Sequence, residues 1–194
     1  MNTGMRGLLT AAAAVLAIGV AAPALAQAPL PSGTQEQREA MQRLSWMDGE
    51  WAGTAAVYAG PDRTTTYRHT ERIGPMVGGS VKVIEGRTTD DAGNVVFNAF
   101  AIVSWDDAAD RYVMRSYANG DAGDFPLEVT ADGFKWMTPS RGGSVDYVTT
   151  HTGDEWVETG DFVMEGGRPP MRVIELRLRR RGNTDWPAAN PVAP

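Results

Sequence analysis

The chain contains no cysteine among its 194 residues, and this absence excludes several classes of site. Thiol nucleophiles, iron–sulfur clusters and cysteine-ligated zinc are impossible, and the stability of the protein must come from its core rather than from disulfides. Histidine is scarce as well: His69 and His151 are the only two, which excludes a metal site of three histidines. The sequence also lacks Walker-type spacing and a Gly-x-Ser-x-Gly nucleophile elbow. We therefore predict no metal site.

Basic residues are outnumbered by acidic ones, with 18 Lys and Arg against 24 Asp and Glu, so the net charge is −6. An acidic domain lacks the excess positive charge that attracts nucleic acid or an anionic membrane, and we expect no nucleic-acid partner. The sequence leaves the oligomeric state open.

The one long apolar run lies near the N-terminus, over residues 8–22, and is followed by the small-x-small pattern Ala24-Leu25-Ala26. This pattern is typical of a signal peptide cleaved after Ala26. The run is shorter than the ~20 residues that span a bilayer. We predict a signal peptide over residues 1–26, a periplasmic or secreted location, and no transmembrane segment after cleavage.

The remaining chain is one domain by size. We predict a linker over 27–34, a folded domain over 35–181 and a disordered Pro/Ala-rich tail over 182–194. Thr34 and Gln37 have the spacing of a capping box, and an apolar stripe follows them at helical spacing, formed by Ala40, Met41, Leu44 and Met47. The sequence therefore predicts one short helix that ends near Gly49.

After Glu50 the sequence consists of about ten short apolar-alternating segments separated by turn signals, with no helical spacers. Such a pattern predicts an antiparallel meander, and closing the sheet would remove its edges. The predicted fold is all-β: an antiparallel up-and-down β-barrel of eight to ten strands, preceded by the short helix. A β-sandwich is the competing architecture.

Candidate site residues come from the alternation within the strands. Alternation in the segment 63–73 gives two faces. One face carries arginines and must meet water, so the other is the candidate inner face; it holds Tyr67, His69, Glu71 and Ile73. His151 shares a face with Tyr147 on a later strand. If these faces converge, they would form a polar cluster inside an apolar cavity, where pKa values shift. The alternative is that each histidine lies at the surface or satisfies a core hydrogen bond.

Two polar residues among apolar neighbours, Asn98 and Glu175, are further candidates for orienting a ligand. For Glu175, a solvent-facing position between Val173 and Arg177 is equally compatible with the pattern.

The order of these features resembles the lipocalin-like (calycin) superfamily: a short helix comes first, then Gly49-x-Trp51, then a meander closed by an Arg-rich strand. This resemblance implies that Trp51 plugs the closed end of the barrel and that an arginine of the last strand, Arg177 or Arg179, packs across it. The motifs Leu44-x-x-Met47-x-Gly49-x-Trp51-x-Gly53, Ser104-Trp-Asp-Asp107 and Met171-x-Val-Ile-Glu175 together look like an uncharacterised family of bacterial exported lipocalin-like proteins. The resemblance spans roughly residues 40–181 and implies small-ligand binding.

Haem-binding barrels of the nitrobindin type open with a similar Gly-x-Trp-x-Gly, as in residues 49–53 here, but hold iron through a histidine near the C-terminus. This chain has no histidine after His151. We therefore expect no haem and no other cofactor.

The leading functional hypothesis is an exported barrel that binds a small apolar or amphipathic molecule. It requires a cavity larger than ~300 Å³. The alternatives are an acid–base enzyme in the same barrel (an isomerase, cyclase or hydratase), which needs His69 and an acid to meet inside, or an envelope interaction module with no ligand.

Overall fold

The computed structural model describes residues 33–60 and 62–188. They form helix α1 and ten strands, and a 3₁₀ turn at Ser45–Met47 joins the helix to the first strand. The bounds are α1 Gln35–Gln42, β1 Gly49–Tyr58, β2 Thr64–Met76, β3 Val81–Thr89, β4 Val95–Asp106, β5 Arg111–Ala118, β6 Asp121–Val129, β7 Gly133–Ser140, β8 Gly143–Thr152, β9 Glu155–Met164 and β10 Met171–Gly182.

Each strand pairs antiparallel with its neighbours in sequence, and β1 pairs with β10, so the described strands form one closed barrel. The predicted fold class is confirmed, and the sandwich alternative is wrong. Closure gives every described strand a partner on both sides, although β6 and β7 pair over three residues only. This is how an all-β chain of this size avoids edge-to-edge association. The predicted signal peptide and most of the linker, residues 1–32, lie outside the described residues.

Helix α1 begins with the predicted capping box. The Thr34 hydroxyl accepts a hydrogen bond from the Gln37 amide at 3.0 Å, and the Gln37 side chain accepts one from the Thr34 amide at 3.1 Å. The apolar stripe of the helix is buried against the barrel, and the Tyr112 hydroxyl of β5 donates to the Ala40 carbonyl at 2.8 Å. The helix thus covers one end of the barrel.

Trp51 fills this closed end, as the resemblance implies. It is 1% exposed, its indole nitrogen donates to the Met47 carbonyl at 2.8 Å, and its ring meets Trp46 and Trp156 edge to face. Gly49, which precedes it, has φ +129°, and an ideal Cβ there would lie 2.4 Å from the Gly182 carbonyl. Glycine is therefore required where the chain turns into β1.

The arginine next to Trp51 differs from both residues that we expected. Arg177 and Arg179 point outward, 65% and 69% exposed, and pair with Glu175 and Glu155. Trp51 lies opposite Arg180, whose guanidinium donates to the Asp48 carbonyl at 3.0 Å. The register between β1 and β10 is regular from Val57 to Trp51, so alternation puts Arg180 on the same inner face of β10 as Leu176 and Leu178.

The chain beyond β10 packs back on the barrel over its described part. Strand β10 includes Gly182, and the ring of Trp186 lies under the guanidinium of Arg72 at 4.8 Å. An ideal Cβ on Gly74 would lie 2.0 Å from the Trp186 carbonyl, so this contact is close. Residues 183–188 therefore belong to the folded domain rather than to a disordered tail, and residues 189–194 lie outside the described part.

Candidate functional site

The barrel encloses a cavity of about 590 Å³ above the Trp51 plug. Its walls come from inward-facing residues of successive strands and are mostly aliphatic or aromatic, including Val57, Ile84, Phe97, Met114, Phe125 and Leu176. Alternation along each strand sends these side chains inward and most of the charged ones outward, and Glu71 and Glu158 are exceptions that line the cavity. The volume lies within the range of small-molecule sites, ~300–1,000 Å³.

A hydrogen-bonded group of three polar side chains lies on the wall formed by β2 and β3. His69 is 4% exposed, its Nδ1 is 2.7 Å from the Thr88 hydroxyl, and its Nε2 is 2.9 Å from Glu71 Oε1. His69 and Glu71 share the inner face because they are two residues apart, and Thr88 is the direct antiparallel partner of His69. A carboxylate only accepts, so Nε2–H donates to Glu71, while the Thr88 hydroxyl can donate to a bare Nδ1 or accept from a protonated one.

A second polar pair lies on the wall formed by β8 and β9. Glu158 is 9% exposed, and the hydroxyl of its cross-strand partner Thr149 donates to its Oε2 at 2.5 Å. The pKa of Glu158 is raised from 4.5 to about 7, chiefly because burial disfavours its charged form. The charge of Glu71 contributes to this rise, while hydrogen bonds from Thr149 and Trp136 and the nearby His69 oppose it.

Glu71 and Glu158 line the same cavity, and the pKa of Glu158 responds to Glu71 and His69, so the two polar groups lie within reach of each other's charge inside the barrel. A carboxyl group with a pKa near 7 can give or take a proton near neutral pH. The arrangement therefore offers both hydrogen bonding and proton transfer inside an apolar chamber.

Two polar atoms at this cavity are buried without a hydrogen-bond partner among the described residues. They are Glu71 Oε2, an acceptor, and Trp156 Nε1, a donor. Both residues line the cavity. Buried polar groups are normally paired, and leaving one unpaired costs ~1–3 kcal/mol. Neither atom is exposed, so a bound molecule with its own polar group would satisfy them once the two side chains turn toward it.

Aromatic rings surround the polar end of the cavity. Trp136 and Tyr147 stack at 4.0 Å between centroids, and Phe134 meets Trp156 edge to face at 6.1 Å. Burial raises the pKa of Tyr147, and its hydrogen bond with Thr138 works against that rise. The Tyr147 hydroxyl therefore stays protonated and can act as a donor.

The structure brings together four of the residues that the sequence singled out. Tyr67, Glu71 and Tyr147 line the cavity, and His69 reaches it through its contact with Glu71. The inner face predicted for the segment 63–73 is confirmed, because His69 and Ile73 are buried there.

The other three candidates lie elsewhere. Asn98 is exposed on the outer face and donates to the Gly86 carbonyl at 2.9 Å. His151 points inward but lies near the closed end, stacked on Trp46 at 4.1 Å. Glu175 faces outward and pairs with Arg172 and Arg177.

Sequence reasoning missed the residues of the second wall, Thr149 and Glu158, together with Thr88 and Trp156. One signal was present: Glu158 shares a strand face with Trp156, two residues before it, and a large aromatic marks the inner face. If Trp156 is taken to point inward, the same face of β9 places Glu158 inside the barrel as a buried acid.

Among the described residues, no group of three or more His, Cys, Asp or Glu has the geometry to hold a metal ion. Both ring nitrogens of His69 are already engaged, with Thr88 and Glu71. Within the same part of the chain, no helix is long and apolar enough to cross a membrane.

The fold and cavity define a class: a closed, ten-stranded antiparallel barrel with a mostly apolar chamber that is open at one end and carries polar groups at the other. One solved structure of similar fold is the "Crystal Structure of Rv2717c from M. tuberculosis", with a TM-score of 0.55 and 17% sequence identity over 73% of this chain and 97% of that one. At this identity the likeness shows the barrel fold alone. No family model and no curated protein matches the chain.

Proposed function

We propose that the protein is an exported lipocalin-like barrel that binds a small apolar or amphipathic molecule in its cavity. The single observation that carries this proposal is the chamber of about 590 Å³, which holds unpaired polar atoms at one end and apolar walls elsewhere. A packed core has no such space, because protein interiors leave few voids larger than a water molecule.

Apolar burial supplies most of the binding free energy in this proposal. A ligand that loses ~300 Å² of apolar surface to the walls gains about 7 kcal/mol at ~25 cal/mol per Å², before the cost of association. The polar atoms contribute orientation: Glu71 Oε2 accepts from the ligand, and Trp156 Nε1 donates to it.

A fluorescence titration with the neutral apolar probe N-phenyl-1-naphthylamine tests the proposal. We expect saturable binding with one probe per barrel. Ala99 lines the cavity, so Ala99→Trp should abolish binding by filling it, while Asn98→Trp, at the neighbouring exposed position, should bind as the wild type does. Equal binding by all three proteins would place the probe outside the cavity and would refute the proposal.

Export is the second part of the proposal. It is supported by the apolar run over residues 8–22 and the Ala24-Leu25-Ala26 pattern. Intact mass measurement of the protein from the cells that make it should give a chain that begins at Gln27. A chain that retains residues 1–26 would refute cleavage.

An acid–base enzyme is the second candidate function, favoured by the His69–Glu71 pair and the facing Glu158. Here Glu158 would exchange a proton with a bound apolar substrate. Conversion of cyclohex-3-enone to its conjugated isomer, followed by absorbance, is a direct probe of such chemistry. Turnover that rises with an apparent pKa near 7 and disappears in Glu158→Gln supports this candidate, and no turnover above the buffer rate counts against it.

A further inference from the structure

The charged side chains that line the cavity are all acidic. They are Glu71, Asp121 and Glu158, and the lining contributed by the described residues contains no Lys, Arg or His. Asp121 is exposed near the open end, where solvent screens its charge. Glu71 and Glu158 lie deep in the barrel, where screening is weak.

Among the described residues, neither deep acid pairs with an arginine or lysine. Glu71 uses one oxygen to accept from His69, and its other oxygen is buried without a partner among the described residues. Glu158 accepts from Thr149 and Trp136, which are neutral donors. Buried carboxylates are normally paired with a cation or held by several hydrogen bonds, so a ligand cation would add a charge partner that Glu158 does not have in direct contact.

The aromatic rings around these acids are compatible with a cation. Trp136 hydrogen-bonds Glu158 and stacks on Tyr147, so aromatic surface and carboxylate lie at the same end of the cavity. Ring faces attract ammonium groups, by ~0.5–2 kcal/mol when the group is desolvated.

Trp156 supplies an independent reason to expect a polar ligand head. This residue is 3% exposed, it lines the cavity, and its Nε1–H has no partner among the described residues. A pure hydrocarbon would leave both this donor and Glu71 Oε2 unsatisfied. A carboxylate would satisfy Trp156 but would face two acids, and an alcohol would satisfy both atoms without supplying charge.

We propose that the cavity selects organic cations, namely molecules with an apolar body and a protonated amine head, over the corresponding alcohols and carboxylates. The ammonium group donates to Glu71 Oε2 and neutralises the pair that Glu71 forms with Glu158. An oxygen near the amine accepts from Trp156 Nε1. This selectivity rests on the proposed binding function of the same cavity.

Displacement of N-phenyl-1-naphthylamine by three matched probes tests this selectivity. Decylamine, decan-1-ol and decanoate share one chain length and differ in the charge of the head. The titration is run at pH 8.5, where an alkylammonium resembling lysine, with a pKa of about 10.4, is still protonated. We expect decylamine to displace the probe at a concentration at least tenfold lower than decan-1-ol, and decanoate to be the weakest.

Two substitutions remove the deep charges, and one matched substitution removes a surface charge. Glu71→Gln and Glu158→Gln should each lower the amine-to-alcohol preference at least fivefold. Saturable binding of the neutral apolar probe N-phenyl-1-naphthylamine by each variant shows that its cavity is intact. Glu128 is exposed on β6, so Glu128→Gln should leave the preference unchanged.

Equal displacement by the amine and the alcohol, or an amine preference that survives both cavity substitutions, overturns the selectivity and leaves the binding function standing. Failure of the wild type to bind N-phenyl-1-naphthylamine or any of the three probes overturns the binding function, and the selectivity with it.

Discussion

Replacing Glu158 by glutamine should stabilise the protein, and the gain should increase with pH. Glu158 is the most deeply buried acid at the cavity, and its pKa rises from 4.5 to about 7, chiefly because burial disfavours the charged form. Glutamine keeps the shape of the side chain and can still accept from Thr149, but it has no charge to desolvate.

The magnitude follows from the pKa difference between the unfolded and folded states. A difference between 4.5 and about 7 corresponds to ~3 kcal/mol, at about 1.4 kcal/mol for each pH unit. The unfolded chain releases the Glu158 proton above pH 4.5, whereas the folded chain holds it until about pH 7. The free energy of unfolding therefore falls as the pH rises through this window and stays low above it.

The groups that face Glu158 come from three other strands. Glu71 and His69 project from β2, Trp136 from β7 and Thr149 from β8. Of these, Glu71 raises the pKa and the other three lower it, and burial outweighs them all.

Urea denaturation of the wild type and Glu158→Gln at pH 5, 6, 7 and 8 measures the effect. The difference in free energy of unfolding should grow by about 2 kcal/mol between pH 5 and pH 8, in favour of the variant. Glu128→Gln, at an exposed site, should show no such growth. The reasoning would be refuted by a stability difference that stays constant with pH, or by a wild type whose stability relative to the variant increases at high pH.

Three other predictions, each measured by urea denaturation, concern the closed end and the packing. Trp51→Ala should cost ~3–5 kcal/mol because it empties the plug, and a loss below ~1 kcal/mol would contradict that role. Gly53→Ala should destabilise the protein by more than ~1 kcal/mol, since its Cβ would lie 2.0 Å from a carbonyl oxygen. Gly182→Ala is the control: nothing lies within 4 Å of a Cβ at that position, so stability should change by less than ~0.5 kcal/mol. Asp48→Asn should lower the free energy of unfolding by ~3 kcal/mol, because it leaves the ammonium of Lys82, which is 2% exposed, without its carboxylate. Adding Lys82→Met should recover most of that loss, and a loss that stays unchanged would refute the pairing.

The barrel was predictable because its determinants are local. Alternation and turn residues mark each strand, and the capping box at Thr34 and Gln37 marks the start of the helix. The inner face of β2 followed from one comparison, since Arg68 and Arg72 must meet water and His69 and Glu71 then point inward.

The side of β10 that carries the inward arginine was predictable from strand parity, and our expectation was wrong. Leu176 and Leu178 share a face, so alternation places Arg180 on that inner face and Arg177 and Arg179 on the outer one. What alternation does not supply is which residue lies opposite Trp51, because the pairing of β1 with β10 joins the two ends of the domain and its register depends on closure of the whole barrel.

The polar pair on the wall formed by β8 and β9 could not be predicted from the sequence, for a related reason. The cluster depends on which strands face each other across the interior, and the sequence order of the strands does not by itself place Glu158 opposite Glu71. Asn98 shows the opposite error: a polar residue among apolar neighbours suggested the interior, but it lies on the outer face. Apolar residues are frequent on protein surfaces, so apolar neighbours alone do not mark an inner face.

Native mass spectrometry of protein purified gently from the cells that make it tests the central claim most directly. The account predicts that the wild type retains a small molecule, that Ala99→Trp loses it because the indole fills the cavity, and that Asn98→Trp keeps it. A wild type with no retained molecule, or an Ala99→Trp variant that retains it at the same occupancy, would contradict a ligand in the barrel.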